Sequence, residues 1–227
     1  MSLDEISQRV ISCRSCPRLR TYCREVARVK RRQFRDQQYW GKPVPGFGEV
    51  DARLLVVGLA PAAHGANRTG RMFTGDNSGL WLYRAMYRAG FANQEKSEGR
   101  EDGLQLRGAF VTAIARCAPP GNQPLPEETE ACSRFLKDEL KVLKKVKVFL
   151  ALGQVALRGL WRVLPEEIKP SASIPKFSHG LKIPLRDGRL ILCSYHPSQQ
   201  NTFTKKLTEP MFDRIFSEVS AFFSKSL

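Results

Sequence analysis

Two spacings of apolar residues alternate along the chain. Leu54-Leu55-Val56-Val57, residues 109–115, residues 146–152 and residues 190–193 are compact, largely apolar runs bounded by turn residues. Such runs predict strands buried on both faces of a parallel sheet. Elsewhere the spacing is helical. Leu3, Ile6, Val10 and Ile11 share one face, and helices are predicted over 3–13, 78–90, 126–144, 154–164 and 209–223. Residues 18–36 carry many Arg and Lys and few apolar positions, predicting a basic helix with a solvated face. Asp187-Gly188, between 181–185 and 190–193, signals a hairpin. Strand and helix in alternation predict an α/β fold, a three-layer α/β/α sandwich with a mostly parallel central sheet. We expect one domain over 1–227, with a basic segment at 1–50 packed on its core.

The first strand run changes abruptly into a glycine-rich loop. After Gly58 come Gly65, Gly70, Gly75 and Gly79, and the loop closes at Asn77-Ser78, residues suited to cap the helix that follows. Strand, long loop and helix start is where open α/β sheets bind ligands, at the carboxyl ends of their strands. Glycines let the backbone approach such a ligand closely.

Charge narrows the ligand. The chain has 227 residues, with 37 Lys and Arg against 22 Asp and Glu, a net charge of +15. That excess favours a polyanion such as nucleic acid. No run approaches the ~20 apolar residues of a membrane span, and the first residues lack a signal-peptide pattern. An intracellular protein of the cytoplasm or nucleoid is therefore expected. In a reducing compartment its cysteines point to metal or redox chemistry before disulfides.

Cys13 and Cys16 form a C-x2-C pair, and Cys117 and Cys132 follow about a hundred residues later. Four thiolates in two pairs suit a tetrahedral zinc or a [4Fe–4S] cluster, and the spacing does not choose between them. Either group would tie the basic N-terminal segment to the core. Cys23 and Cys193 are left over, and Cys193 lies within an apolar strand run.

Gly58-Leu59-Ala60-Pro61-Ala62-Ala63-His64-Gly65, continued by Asn67-Arg68-Thr69-Gly70-Arg71-Met72-Phe73-Thr74-Gly75-Asp76, resembles the first active-site motif of the type B (family 5) uracil-DNA glycosylases. His196-Pro197-Ser198-Gln199-Gln200-Asn201-Thr202 resembles their second motif. Cys117-Ala118-Pro119-Pro120 and the four-cysteine pattern also match, so the resemblance covers nearly the whole chain. It implies a monofunctional DNA glycosylase that carries a [4Fe–4S] cluster on Cys13, Cys16, Cys117 and Cys132. Such an enzyme removes uracil and other deaminated or damaged bases from double- and single-stranded DNA and leaves an abasic site. Leu59 stands where family 4 has an acidic residue, and Ala113 where those enzymes usually have an asparagine that reads uracil. Strict uracil specificity is therefore not expected.

The target base must leave the stack before its glycosidic bond can be reached. Asp76 is the only carboxylate of the first motif; from its place there, it is expected to orient water and stabilise a cationic sugar. A carboxylate that favours the dipole of the following helix is the alternative. His196 is expected to donate to the base and to the charge that develops on it. Gly58, Ala60, Pro61, Ala62, His64, Phe73 and Asn122 are expected to line the base pocket, with Phe73 stacking and Asn122 reading an edge; an ordinary turn is the alternative for Asn122. Arg68, Ser198, Gln199, Asn201, Lys205 and Lys206 are expected to face DNA, and Lys30-Arg31-Arg32 with Arg28 and Arg35 offers a second basic patch. The chain is expected to be monomeric, with a sliding clamp or other repair protein as a possible partner. The rival reading is a non-catalytic Fe–S protein that binds or senses DNA. A nucleotide-binding enzyme ranks lower, because the loop lacks G-x-x-x-x-G-K-[ST] and G-x-G-x-x-G.

Overall fold

The computed structural model describes residues 1–224. The chain opens with α1 (Leu3–Ile11) and α2 (Pro17–Val29), then enters the sheet through β1 (Phe47–Gly48) and β2 (Leu54–Gly58). Helices α3 (Ala66–Thr69) and α4 (Asn77–Arg88) lead to β3 (Ala109–Ala113), α5 (Pro126–Val142), β4 (Val148–Leu152) and α6 (Gln154–Val163). The hairpin β5 (Lys182–Pro184) and β6 (Leu190–Ser194) follows, then α7 (Gln199–Phe203) and α8 (Glu209–Ser224).

The sheet order is β1-β3-β2-β4-β6-β5. The four inner strands are parallel, and the two edge strands pair antiparallel. Alternate residues of each inner strand enter opposite cores, which is why those strands read as continuous apolar runs. Leu54 and Val56 of β2 face Leu82 and Met86 of α4 and Phe212 and Phe216 of α8. Leu55 and Val57 face Leu136 of α5 and Leu157 and Leu160 of α6. The three-layer α/β/α sandwich is thus present. Ile6 and Val10 place α1 on Phe135 of α5, so the N-terminal segment packs against the main body.

The structure departs from the sequence reading where elements are short. The basic helix does not reach residue 36. It ends at Val29, because Lys30 turns to φ 56°, and a 3-10 turn over Arg32–Phe34 follows. β1, α3 and α7 span two, four and five residues, too few to show a period. The cap of α4 is Asp76 rather than Asn77 or Ser78, its side chain accepting from the Gly79 N–H at 3.0 Å. No helix among the described residues is long and apolar enough to cross a membrane.

Candidate active site

The glycine-rich loop is clamped at two buried arginines. Arg68, 8% exposed, donates from Nε to the His64 carbonyl at 2.7 Å and from Nη2 to the Gly75 carbonyl at 2.8 Å. Its Nη1 meets Gln37 Oε1, and its guanidinium lies 3.9 Å from the centre of the Phe34 ring. Arg68 was expected to face DNA. Its three nitrogens are instead committed to protein acceptors, so it fastens the loop to the 3-10 turn after α2. Arg71 does the same further on, through Asp102 Oδ2 at 2.6 Å, Ser97 Oγ at 2.8 Å and Thr74 Oγ1 at 3.0 Å.

That clamping delivers Asp76 to the head of α4. One carboxylate oxygen, Oδ1, caps the helix. The other, Oδ2, lies so close to Gly65 that a Cβ there would come within 2.1 Å of it, so only glycine fits position 65. Burial raises the Asp76 carboxyl above the usual carboxylate value, against the pull of the Gly79 and Ser78 N–H groups and of Arg68. The cap sets the orientation of the side chain through Oδ1.

Phe73 adopts φ 51° and is 9% exposed. Its ring lies over the end of β2, where a Cβ on Gly58 would approach its Cζ to 2.6 Å. The same ring stacks on His196, with centroids 5.7 Å apart and planes at 29°. His196 follows β6 and passes above the end of β4, its Cβ being 3.7 Å from where a Cβ on Gly153 would stand. The carboxyl ends of β2, β4 and β6 thus bring Gly58, Phe73 and His196 together. Burial pushes the His196 pKa down to about 4, so the imidazole is neutral at pH 7.

The polar stretch after His196 is a short capped helix, not an open loop. Ser198 caps α7 and accepts from the Asn201 N–H, while Asn201 Nδ2 donates to the His196 carbonyl at 2.9 Å. Asn77 Nδ2 donates to Thr202 Oγ1 at 3.3 Å and ties α4 to α7. Asn201 was expected to touch DNA; its amide nitrogen is spent holding the backbone of His196. Gln199, Lys205 and Lys206 are exposed, and Lys206 Nζ lies 4.9 Å from the Tyr195 ring centre. Beside them Phe203 is 76% exposed, an apolar ring in a basic surface that no motif in the sequence marks.

The remaining expectations divide. Ala60 and Ala62 are partly buried and Pro61 buried, just beyond the end of β2. His64 Nδ1 lies 3.1 Å from the Tyr39 hydroxyl, and its other ring nitrogen has no hydrogen-bond partner among the described residues. Burial, with Arg31 and Arg68 nearby, lowers its pKa. Asn122 is exposed at φ 58° in the turn Pro120–Asn122. No hydrogen bond joins its side chain to Asp76 or His196 among the described residues, and its φ is one that asparagine adopts more readily than most residues. His179, to which the sequence attached no role, accepts the Tyr195 N–H on Nδ1 at 3.3 Å and stacks on the Tyr195 ring. It fixes the backbone immediately before His196.

Residues 45–220 match the family model of the Uracil DNA glycosylase superfamily. The chain belongs to that superfamily. Within it, the type-5 uracil-DNA glycosylase of Mycobacterium leprae is 50% identical over 219 residues, covering 96% of this chain and 94% of that protein. The type-5 uracil-DNA glycosylase of Thermus thermophilus is 46% identical over 218 residues, 96% of this chain and 97% of the relative. A type-4 uracil-DNA glycosylase of Thermotoga maritima is 28% identical over 197 residues, 86% of this chain and 81% of the relative. Type 5 is therefore the branch of the superfamily in which the chain falls.

This superfamily member also gathers its paired cysteines. Cys13, Cys16, Cys117 and Cys132 line one small cavity, together with Arg20, Pro43 and Arg116. Among the described residues no three His, Cys, Asp or Glu side chains form a group that could hold a metal ion. Burial pushes the Cys132 thiol up to about 11. Burial also opposes ionisation of Cys13, yet hydrogen bonds from Ser15 and Arg134 bring that thiol below its usual value. Cys23 is buried and donates to the Ala118 carbonyl at 3.6 Å. Cys193 is enclosed within β6, where burial raises its thiol to about 12.

Proposed function

We propose that the chain is a monofunctional DNA glycosylase that excises uracil and other deaminated bases from DNA, leaving an abasic site. The observation that carries this reading is the stacking of Phe73 on His196 over the carboxyl ends of β2, β4 and β6, with Asp76 of the same glycine-rich loop held at the head of α4. A base flipped from the helix finds an apolar wall in Phe73. His196, neutral at pH 7, donates an N–H to a carbonyl oxygen of the base as negative charge develops there. The C1′–N bond breaks with its electron pair leaving on the base, and the sugar becomes cationic. Asp76 stabilises that cation and takes a proton from the water whose oxygen bonds to C1′, and that proton then neutralises the departed base anion. The exposed lysines beside Phe203 supply phosphate contacts.

The test is base release from oligonucleotides carrying uracil or hypoxanthine, read after alkaline cleavage at the abasic site. Asp76→Asn is the informative variant, because asparagine also caps helices well and leaves α4 intact. We expect release to fall by about 10²–10⁴-fold, the range for a lost acid–base group, with DNA binding retained. Unchanged release would overturn the role of Asp76. Binding without release by the unaltered chain would favour a sensing protein.

We further propose that Cys13, Cys16, Cys117 and Cys132 hold a [4Fe–4S] cluster. Three observations support it. The donor set is all sulfur. The four thiols line one cavity. Finally, Arg116, in the wall of that cavity, has its Nε and Nη1 buried with no acceptor, which suits an anionic group. A cluster bound by these four residues would tie the N-terminal segment to α5 and to the chain after β3, a structural role. Cys132→Ser is expected to lose iron and thermal stability together, measured by iron analysis and calorimetry. Iron-free protein of full stability and activity would refute the assignment.

A further inference from the structure

The chemistry proposed for the active site does not involve Arg116, yet its environment is unusual. The side chain is 1% exposed and paired with Glu139, also 1% exposed, through Nη2 to Oε2 at 2.6 Å. Thr112 Oγ1 of β3 donates to the same carboxylate oxygen at 2.8 Å. Nε and Nη1 of Arg116 are buried with no hydrogen-bond partner. A buried guanidinium left two-thirds unsatisfied is strongly unfavourable unless something else in its surroundings accepts from it. Arg116 lines the cavity of the four cysteines and precedes Cys117 directly. The same cavity meets two more arginines. Arg20 is in its lining, and Arg134 Nη2 donates to Cys13 Sγ at 3.3 Å and to Ser15 Oγ at 2.8 Å.

Resting on the cluster reading above, we propose that Arg116 is the buried counter-cation of the cysteine-held cluster. Its unpartnered Nε–H and Nη1–H would donate to the bound cluster, while Glu139 holds the guanidinium through Nη2 and Thr112 holds Glu139. A positive charge and hydrogen bonds at the sulfurs favour the state carrying one more electron. Arg116 therefore sets the cluster's reduction potential higher than the same four cysteines would alone, and Glu139 moderates that effect. Arg116 is a positioning and tuning residue, not a catalytic one.

The test compares the full-length chain with Glu139→Gln, Arg116→Lys and the double variant Arg116→Gln with Glu139→Gln. The double variant removes both charges and so leaves no unpaired buried ion. Iron and sulfide content, thermal unfolding and the reduction potential by spectroelectrochemistry are measured on each. Glu139→Gln is expected to shift the potential upward, because the moderating anion is gone. The double variant is expected to lie below Glu139→Gln, and Arg116→Lys below the parent chain, because lysine keeps the charge but lacks the Nε donor. A merely structural role would lower the unfolding temperature and leave the potentials equal. Equal potentials in iron-replete proteins overturn the Arg116 assignment alone. If the double variant does not retain iron, an unmoved potential in Glu139→Gln is by itself sufficient to overturn it. Absence of iron and sulfide from the parent chain overturns the cluster reading instead.

Discussion

At the scale of single residues, pH separates the two central groups. The folded pKa of His196 lies near 4 against an ordinary value of 6.5. Between those values the unfolded chain binds more protons than the folded one. The stability contribution of a neutral His196 is therefore fully present above pH 6.5 and is lost as pH falls toward 4. His64 and His179 are also lowered by burial and add with the same sign. Denaturant melts at pH 7 and pH 5 should show a smaller loss for His196→Gln than for the parent chain; an equal loss would mean that His196 is not held neutral. Asp76 behaves oppositely. Burial raises its pKa, so the carboxylate that the proposed water step uses is lost at a higher pH than for an exposed aspartate. The sequence showed that a lone carboxylate sits in this motif. It did not show that the same carboxylate caps α4, because the cap depends on where the loop folds back.

Among the elements, α7 changes most between the two readings. Residues 198–206 read as a polar, basic loop, and the structure makes their first part a capped helix that exposes Phe203 next to Lys205 and Lys206. An exposed aromatic ring in a basic surface suits the space left in a duplex by a flipped base, at an unstacking cost of about a few kcal/mol per step. Phe203→Ala is therefore expected to lower excision from duplex by about tenfold, equivalent to about 1.4 kcal/mol, and to leave excision from single strands nearly unchanged, since a single strand has no stack to hold open. Equal losses on both substrates would assign Phe203 a different task. Five residues cannot display a helical period, so no pattern in the sequence announced α7. The longer helices α4, α5, α6 and α8 were legible because each buries an apolar stripe over several turns.

At the scale of the whole molecule, the net charge of +15 is only partly free to act on DNA. Arg68, Arg71 and Arg116 are buried within the protein, and Arg18 is bound to Glu128 at 2.7 Å. Arg31, Arg32, Arg35, Lys205 and Lys206 remain exposed. Binding to undamaged DNA should weaken linearly in log[salt], and each of Lys205→Ala and Lys206→Ala should reduce the slope by about one. A slope unaltered by both substitutions would place the DNA path elsewhere on the surface.

The layered α/β architecture is legible in the amino-acid order, because buried parallel strands and amphipathic helices each impose their own period on the apolar residues. That order also carries the two motifs and the four cysteines, whose identity does not depend on geometry. Which polar residues are available depends on how the chain packs. Arg68 and Asn201 share composition and neighbourhood with DNA-facing residues, yet their hydrogen bonds end on His64, Gly75 and His196. Tyr39 meets His64, and Arg116 meets Glu139, across 25 and 23 residues of chain. Pairings at such separation come from packing, and packing leaves no period in a sequence.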